Sequence, residues 1–243
     1  MTKRLVENLA CLIKRLPARL QSKLYEIILK NIPFWLLKQI PCSYGAYLKC
    51  YSGKKGNVII DCGAHIGNCA ILFSRLVGKD GLVISVEPFE DTFNTLTRRL
   101  KRLKIKNVIA VNKGLWDKTL KQRLKVFSNT ISCKVMPNEN KPEEAGYAVE
   151  IDCIAIDDLV AELNLTRVDM IKMDIEGTEI EALHGAKRTL REFTPCLAIA
   201  SYHNRNNTQT YHLVEQFLAQ HNYSAYTFFP PHLTTCGKHI TKK

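Results

Sequence analysis

No stretch of about 18 consecutive apolar residues occurs in this sequence, so nothing in it reads as a membrane-crossing helix. A signal-peptide core is also missing, because Lys14, Arg15 and Arg19 interrupt the apolar positions near the start. The nine cysteines form no C-x-x-C pair, which removes the usual zinc spacing, and no metal site is expected. Their odd number and wide scatter give no disulfide framework. Several lie inside apolar runs, where a free thiol packs as a small hydrophobe, and this usage points to a reducing, cytoplasmic compartment. Acidic residues are scarce: 23 Asp and Glu stand against 35 Lys and Arg, for a net charge of +12. Internal repeats are absent.

What is present describes a globular protein. At 243 residues, 46% hydrophobic and 24% charged, the chain can bury one α/β domain with a substantial core and an appendage. The positive charge is uneven. Residues 1–56 hold 11 Lys and Arg against Glu7 and Glu26, and a second basic run covers residues 98–106. Such surfaces attract nucleic acid, acidic lipid headgroups or a charged substrate, or simply keep a face solvated.

The first 45 residues read as a helical cap. Leu5, Leu9, Leu12, Ile13 and Leu16 recur at helical spacing until Pro17, and Leu20, Leu24, Ile27 and Ile28 resume the pattern until Pro33. With Phe34 to Leu37 beside basic residues, this segment either packs on the following domain or rests on an anionic membrane surface. From residue 46 a single catalytic domain is expected. Strands at 57–61, 82–87, 108–112, 168–173 and 196–200 alternate with helices at 66–77, 89–104, 154–163, 179–193 and 208–221. Residues 121–128 and 147–153 read as a hairpin with a mobile polar loop, and 223–229 as an edge strand. Alternating strands and helices imply a doubly wound, mostly parallel sheet with helices on both faces.

The informative stretch is Val58 to Gly67, VIIDCGAHIG. A β-branched run, a tight loop bracketed by Gly63 and Gly67, and a helix start at Asn68 form a ligand cradle of free backbone N–H groups. A dinucleotide fingerprint needs glycines at offsets 0, 2 and 5. Here Asp61 stands in place of the first, where an acid repels a pyrophosphate but suits an ammonium. Glu87, at the end of the next strand, can accept bonds from two ribose hydroxyls. An ammonium, a ribose and no phosphate describe S-adenosylmethionine. Ala64, His65 and Asn68 are assigned to the cofactor with this loop, His65 by its backbone, and Asp117 is assigned with them.

The strand tips also carry the candidate chemistry. Asp174 and Glu176 follow the fourth strand, and His203 follows the fifth in Ser201-Tyr-His-Asn. Asp174 or His203 could take a proton from an acceptor hydroxyl. Glu179 and Glu181 fall in the first turn of a helix, where carboxylates complement the dipole, and read as structural.

Taken together, the Asp61–Gly67 loop, Val86-Glu-Pro-Phe, Ile156-Asp-Asp-Leu, residues 168–179 and Leu183-His-Gly-Ala resemble the FkbM family of S-adenosylmethionine-dependent methyltransferases. The resemblance spans roughly residues 40–203 and implies a seven-stranded Rossmann-like sheet whose last strand is antiparallel. It also implies methylation of a hydroxyl on a sugar, glycan or related small molecule. By motif, Asp61, Gly63 and Gly67 become the cofactor loop, Glu87 the ribose ligand and Asp174 an active-site acid. Where many members place a Glu after strand five, Ala200-Ser-Tyr-His stands here. The basic surface raises a nucleic-acid methyltransferase as an alternative. However, Asp174-Ile-Glu-Gly occupies the place of the Asp/Asn-Pro-Pro-aromatic motif common among amino-methylating enzymes of that kind. A non-catalytic anion- or lipid-binding module on the same fold is the other alternative.

Overall fold

The computed structural model describes residues 18–38, 43–51, 53–126, 133–136, 147–205, 208–229 and 232–240. A central sheet is built from β1 (Val58–Cys62), β2 (Leu82–Val86), β3 (Val108–Val111), β8 (Met170–Met173), β9 (Cys196–Ala200), β12 (Tyr223–Phe228) and β13 (Thr234–His239). Its order is β12-β13-β9-β8-β1-β2-β3, with β13 antiparallel to both neighbours and the remaining pairs parallel. This is the mostly parallel, Rossmann-like arrangement expected. Successive residues of β1 feed opposite cores, as the period of a strand requires. Ile60 packs with Ile84, Ile171 and Ile199 on one face, while Ile59 packs with Phe73, Met170 and Leu29 on the other.

The helices cover both faces. On the Ile59 side lie α1 (Ala18–Asn31), α2 (Phe34–Leu37), α3 (Ser43–Cys50) and α4 (Asn68–Val77), with α5 (Glu90–Arg102) further along. On the other side lie α6 (Ile156–Glu162), α7 (Glu179–His184), α8 (Lys187–Phe193) and α9 (Tyr211–Gln220). The described part of the N-terminal segment packs on the core. Leu29 and Leu37 are buried, and the Arg75 guanidinium donates to the carbonyls of Leu29, at 2.6 Å, and Ile32. These carbonyls belong to the end of α1, which its own helix cannot satisfy. Buried Glu26 pairs with Arg102 at 2.5 Å and lies 3.5 Å from Arg99, tying α1 to α5. Leu20, Ile27 and Trp35 point outward. Residues 1–17, with Leu5 and Leu9, lie outside the described residues. Among those described, no helix is long and apolar enough to cross a membrane.

Four expectations are corrected. The helix expected at 179–193 is two helices, α7 and α8, broken around Gly185. A Cβ there would lie 2.2 Å from the Trp116 carbonyl, and the Gly185 carbonyl accepts the Asp157 N–H. The helix expected from 208 begins at Tyr211, because β10 (Asn204–Arg205) and β11 (Thr208–Gln209) pair first. The hairpin is present as β5 (Leu120–Val126) and β7 (Tyr147–Ile154), but β6 (Cys133–Met136) joins β5 on its other edge and β4 (Gly114–Leu115) joins β7. The loop expected at Pro137–Gly146 lies outside the described residues. Finally, Cys50 and Cys236 form a disulfide between α3 and β13, where the cysteine usage points to a reducing compartment. Their separation of 186 residues carries no spacing signal, and β13 itself was not anticipated. Cys62, Cys69, Cys153 and Cys196 are not in disulfides.

Candidate active site

The carboxyl ends of β1, β2, β8 and β9 bring together most of the residues singled out by sequence. The glycines of the first loop prove to be demanded by packing. Gly63 has φ +75°, and a Cβ there would lie 2.0 Å from the Asp174 carbonyl oxygen. Gly67 has φ +86°, and a Cβ would meet the Leu96 side chain at 2.3 Å. Only glycine adopts these conformations without strain and leaves the necessary room. The loop between them is pinned to β2: the N–H groups of Gly63 and Ala64 both donate to the Val86 carbonyl. His65, itself at φ 49°, donates its backbone N–H to Glu87 Oε2 at 2.7 Å. Burial pushes the His65 imidazole below the ordinary histidine pKa, and the charges of Lys172 and Arg99 push the same way. That suits a backbone role.

Glu87 is 6% exposed and already well held. Its Oε1 accepts from the Thr92 hydroxyl at 2.7 Å and the Phe89 N–H at 3.1 Å. Burial raises its pKa, and these bonds, with the one from His65, work against that rise. A carboxylate has about four lone-pair sites, so capacity remains for a hydroxyl. Asn68 donates to the Tyr44 hydroxyl at 3.0 Å and accepts from Arg99 at 2.9 Å, which fixes the start of α4. Asp117 is exposed, and the geometry sets it beside Gly185 at the end of α7, not among the residues of the 63–67 loop.

Asp61 is fully buried, and its nearest cation is one the sequence reading passed over. Asp61 and Lys172 are direct partners in the register of β1 with β8, and Lys172 Nζ lies 3.0 Å from Asp61 Oδ1. The same ammonium donates to the carbonyls of Cys62 at 3.1 Å and Gly63 at 2.9 Å. Burial would lower the Lys172 pKa, but the charge of Asp61, with help from Cys69 and Asp174, holds it above the ordinary lysine range. Asp61 Oδ2 makes no hydrogen bond among the described residues. Lys172 was legible in principle, as a lone charge inside the apolar strand Met170–Met173.

Around Asp174 the site becomes acidic and aromatic. Tyr47 donates its hydroxyl to Asp174 Oδ2 at 2.9 Å, and Tyr202 donates to Oδ1 at 3.4 Å. His203 Nε2 lies 3.7 Å from Asp174 Oδ1 and 3.6 Å from Glu176 Oε2, so the three proposed reactive groups do meet. The Tyr202 ring lies between His203, 4.2 Å away, and His232, 4.7 Å away. Burial raises the Tyr47 phenol well above its usual pKa, and the Asp174 charge adds to this, so it remains a donor. Tyr47 was invisible to sequence reasoning because it sits on α3, 127 residues from Asp174. The expected boundary between residues 45 and 46 therefore cuts α3 in two. Among the described residues, no group of three or more His, Cys, Asp or Glu is arranged to hold a metal ion.

Residues 61–225 match the model of the methyltransferase FkbM domain, well over half of the sequence. The chain belongs to the FkbM methyltransferase family. It is 24% identical over 156 residues to Methyltransferase 1 of Beauveria bassiana, covering 56% of this chain and 62% of that protein. Among solved structures it resembles an FkbM methyltransferase from Methylobacillus flagellatus, with a TM-score of 0.59 at 21% identity, over 96% of this chain and 59% of that one. It also resembles the fibrillarin of Aeropyrum pernix, solved with natively bound S-adenosylmethionine, with a TM-score of 0.52 at 13% identity over 79% and 73% of the two chains. These likenesses establish the fold. The chain spans about three fifths of the first two relatives' lengths. The cofactor of this methyltransferase family is S-adenosylmethionine, and the residues present fit it: an unpaired buried Asp61 oxygen for an ammonium, and Glu87 for a ribose.

Proposed function

We propose that this FkbM-family protein is an S-adenosylmethionine-dependent O-methyltransferase acting on a hydroxyl of a sugar, glycan or related small molecule. The observation that carries the reading is the meeting of His203 Nε2 with Asp174 and Glu176 beyond β8 and β9, next to the loop that begins at Gly63. Asp61 and Gly63 would hold the methionine end of the cofactor and Glu87 its ribose. When bound, S-adenosylmethionine supplies an electrophilic methyl group on a sulfonium that leaves readily.

The chain's own task is then alignment and one proton. Carboxylates accept hydrogen bonds from the hydroxyls of a polyol, and the flat faces of Tyr202 and His232 suit the C–H side of a sugar ring. With the bound cofactor supplying the methyl group, the acceptor hydroxyl would give up its proton to His203 Nε2. Asp174 and Glu176 stabilise the imidazolium so formed.

Labelled-methyl transfer, screened against glycan, lipid and RNA fractions, tests this. Label in glycan that falls by about 10²–10⁴ in His203→Ala, with cofactor affinity within a few fold, is the expected result. Label confined to RNA would overturn the acceptor class, and full activity of both His203→Ala and Asp174→Asn would remove the base.

A further inference from the structure

Glu179 had the look of an ordinary first-turn acid, but its surroundings are not those of a surface carboxylate. It is completely buried, and its Oε1 accepts the N–H of Gly177 at 3.2 Å and of Ile175 at 3.4 Å. The intervening backbone turns through two left-handed residues, Glu176 at φ 58° and Gly177 at φ 98°, and so folds back on the carboxylate it precedes. The same Oε1 lies 2.9 Å from His203 Nδ1. Desolvating a carboxylate this fully is costly unless donors engage it, and the contacts fall on Oε1, since Oε2 has no hydrogen-bond partner among the described residues.

We propose that Glu179 is the positioning residue of His203, holding the imidazole by its Nδ1–H and so fixing the tautomer whose bare Nε2 faces Asp174 and Glu176. The proposal rests on the reading of His203 as base and refines it. Its logic is that of donors and acceptors. An ionised carboxylate only accepts, so the ring nitrogen facing it must carry hydrogen. A neutral imidazole has one such nitrogen, and Nε2 is therefore left with its lone pair. Among the described residues neither ring nitrogen completes a hydrogen bond by angle as well as distance; Nδ1 is in close contact with Glu179, while Nε2 stands beyond hydrogen-bond distance of Asp174 and Glu176, available for an acceptor proton.

Carboxylates face both edges of this ring, and the shorter contact decides between them: 2.9 Å at Nδ1 against 3.6 and 3.7 Å at Nε2. Glu179 stands on the Nδ1 side, from α7. Asp174 and Glu176, from the segment after β8, stand on the Nε2 side beyond hydrogen-bond distance. Tyr202 lies tilted against the ring, and His232, from the connection between β12 and β13, lies against the Tyr202 ring in turn. Lys172, the nearby cation, is occupied by Asp61. Burial alone would lower the His203 pKa, but the bond and charge of Glu179, followed by Asp174 and Glu176, outweigh it and hold it above the ordinary value.

The test needs no acceptor. Protein labelled at its histidine ring atoms is titrated by NMR, with His203→Ala identifying the His203 signal. Neutral His203 should carry its proton on Nδ1, and Glu179→Gln, which keeps the hydrogen-bond acceptor but not the charge, should lower the ring's proton affinity about tenfold or more. A neutral proton on Nε2, or an unchanged titration in Glu179→Gln, would overturn the proposal. Should Glu179→Gln not fold, the wild-type tautomer decides alone. Because these readouts are independent of turnover, a positioned His203 in a protein whose methyl transfer ignores His203→Ala would uphold the contact while removing the base.

Discussion

Glu87 holds two structures at once. One oxygen fastens the 63–67 loop through the His65 N–H, and the other fastens the entry to α5 through Thr92 and Phe89. Glu87→Ala should therefore cost more than a ribose contact. We expect S-adenosylhomocysteine binding to weaken by about 1.5–3 kcal/mol, the range for bonds to a charged group, in calorimetry. Unchanged affinity would remove Glu87 from the cofactor site. His203 adds a pH signature. As a base it must be neutral, so with its pKa held above 6.5 turnover should rise as pH climbs through a midpoint on the alkaline side of that value. A rate that falls over the same range would contradict the assignment.

Side-chain identity was readable where the signal is local. The Asp61–Gly67 loop announces itself by a β-branched run and two glycines within ten residues of sequence. Lys172 and Tyr47 do not, because each acquires its partner only when distant segments meet. Glu179 reads as structural for another reason: an acid opening a helix has an adequate generic explanation, and nothing local reveals that a histidine lies 2.9 Å from it.

Among the elements, α1 is the one whose contribution is easiest to measure. Leu29 is 1% exposed and Arg75 serves the last carbonyls of the helix. Leu29→Ala should lower stability by about 2–5 kcal/mol, the usual cost of truncating a buried leucine, as a shift in denaturant midpoint with an unchanged slope. A shift near zero would mean that α1 is not part of the core. The five consecutive parallel strands, β9, β8, β1, β2 and β3, were legible because their apolar runs are dense and end in turn formers. β13 was not. Its buried residues are Thr234, Thr235, Cys236 and Gly237, which show neither an apolar run nor an alternation. Hydroxyls take the place of hydrocarbon there, with Thr235 bonded to both Ser201 and Thr227 at 2.7 Å.

For the molecule as a whole, pH acts on stability and on turnover in opposite directions. The raised His203 pKa contributes stability that is fully present below about 6.5 and is lost as pH rises through the folded value. The disulfide acts through the unfolded chain. By loop-closure entropy, a cross-link between residues 186 apart is worth about 5 kcal/mol, so a reducing agent should lower the melting temperature by several degrees or more. An identical melting curve with and without reductant would show that Cys50 and Cys236 are not joined in the molecule tested.

That cross-link also makes the chain a lariat. Residues 50 to 236 form a closed ring, with α1 and α2 on one tail and the end of β13 on the other. Asp61, Glu87, Lys172, Asp174, Glu179 and His203 all lie on the ring, while Tyr47 reaches in from just outside the knot. A single backbone cut within the ring therefore yields an open strand that is still one covalent body. Such a nick escapes notice on a gel run without reductant and separates into two bands when thiol is added.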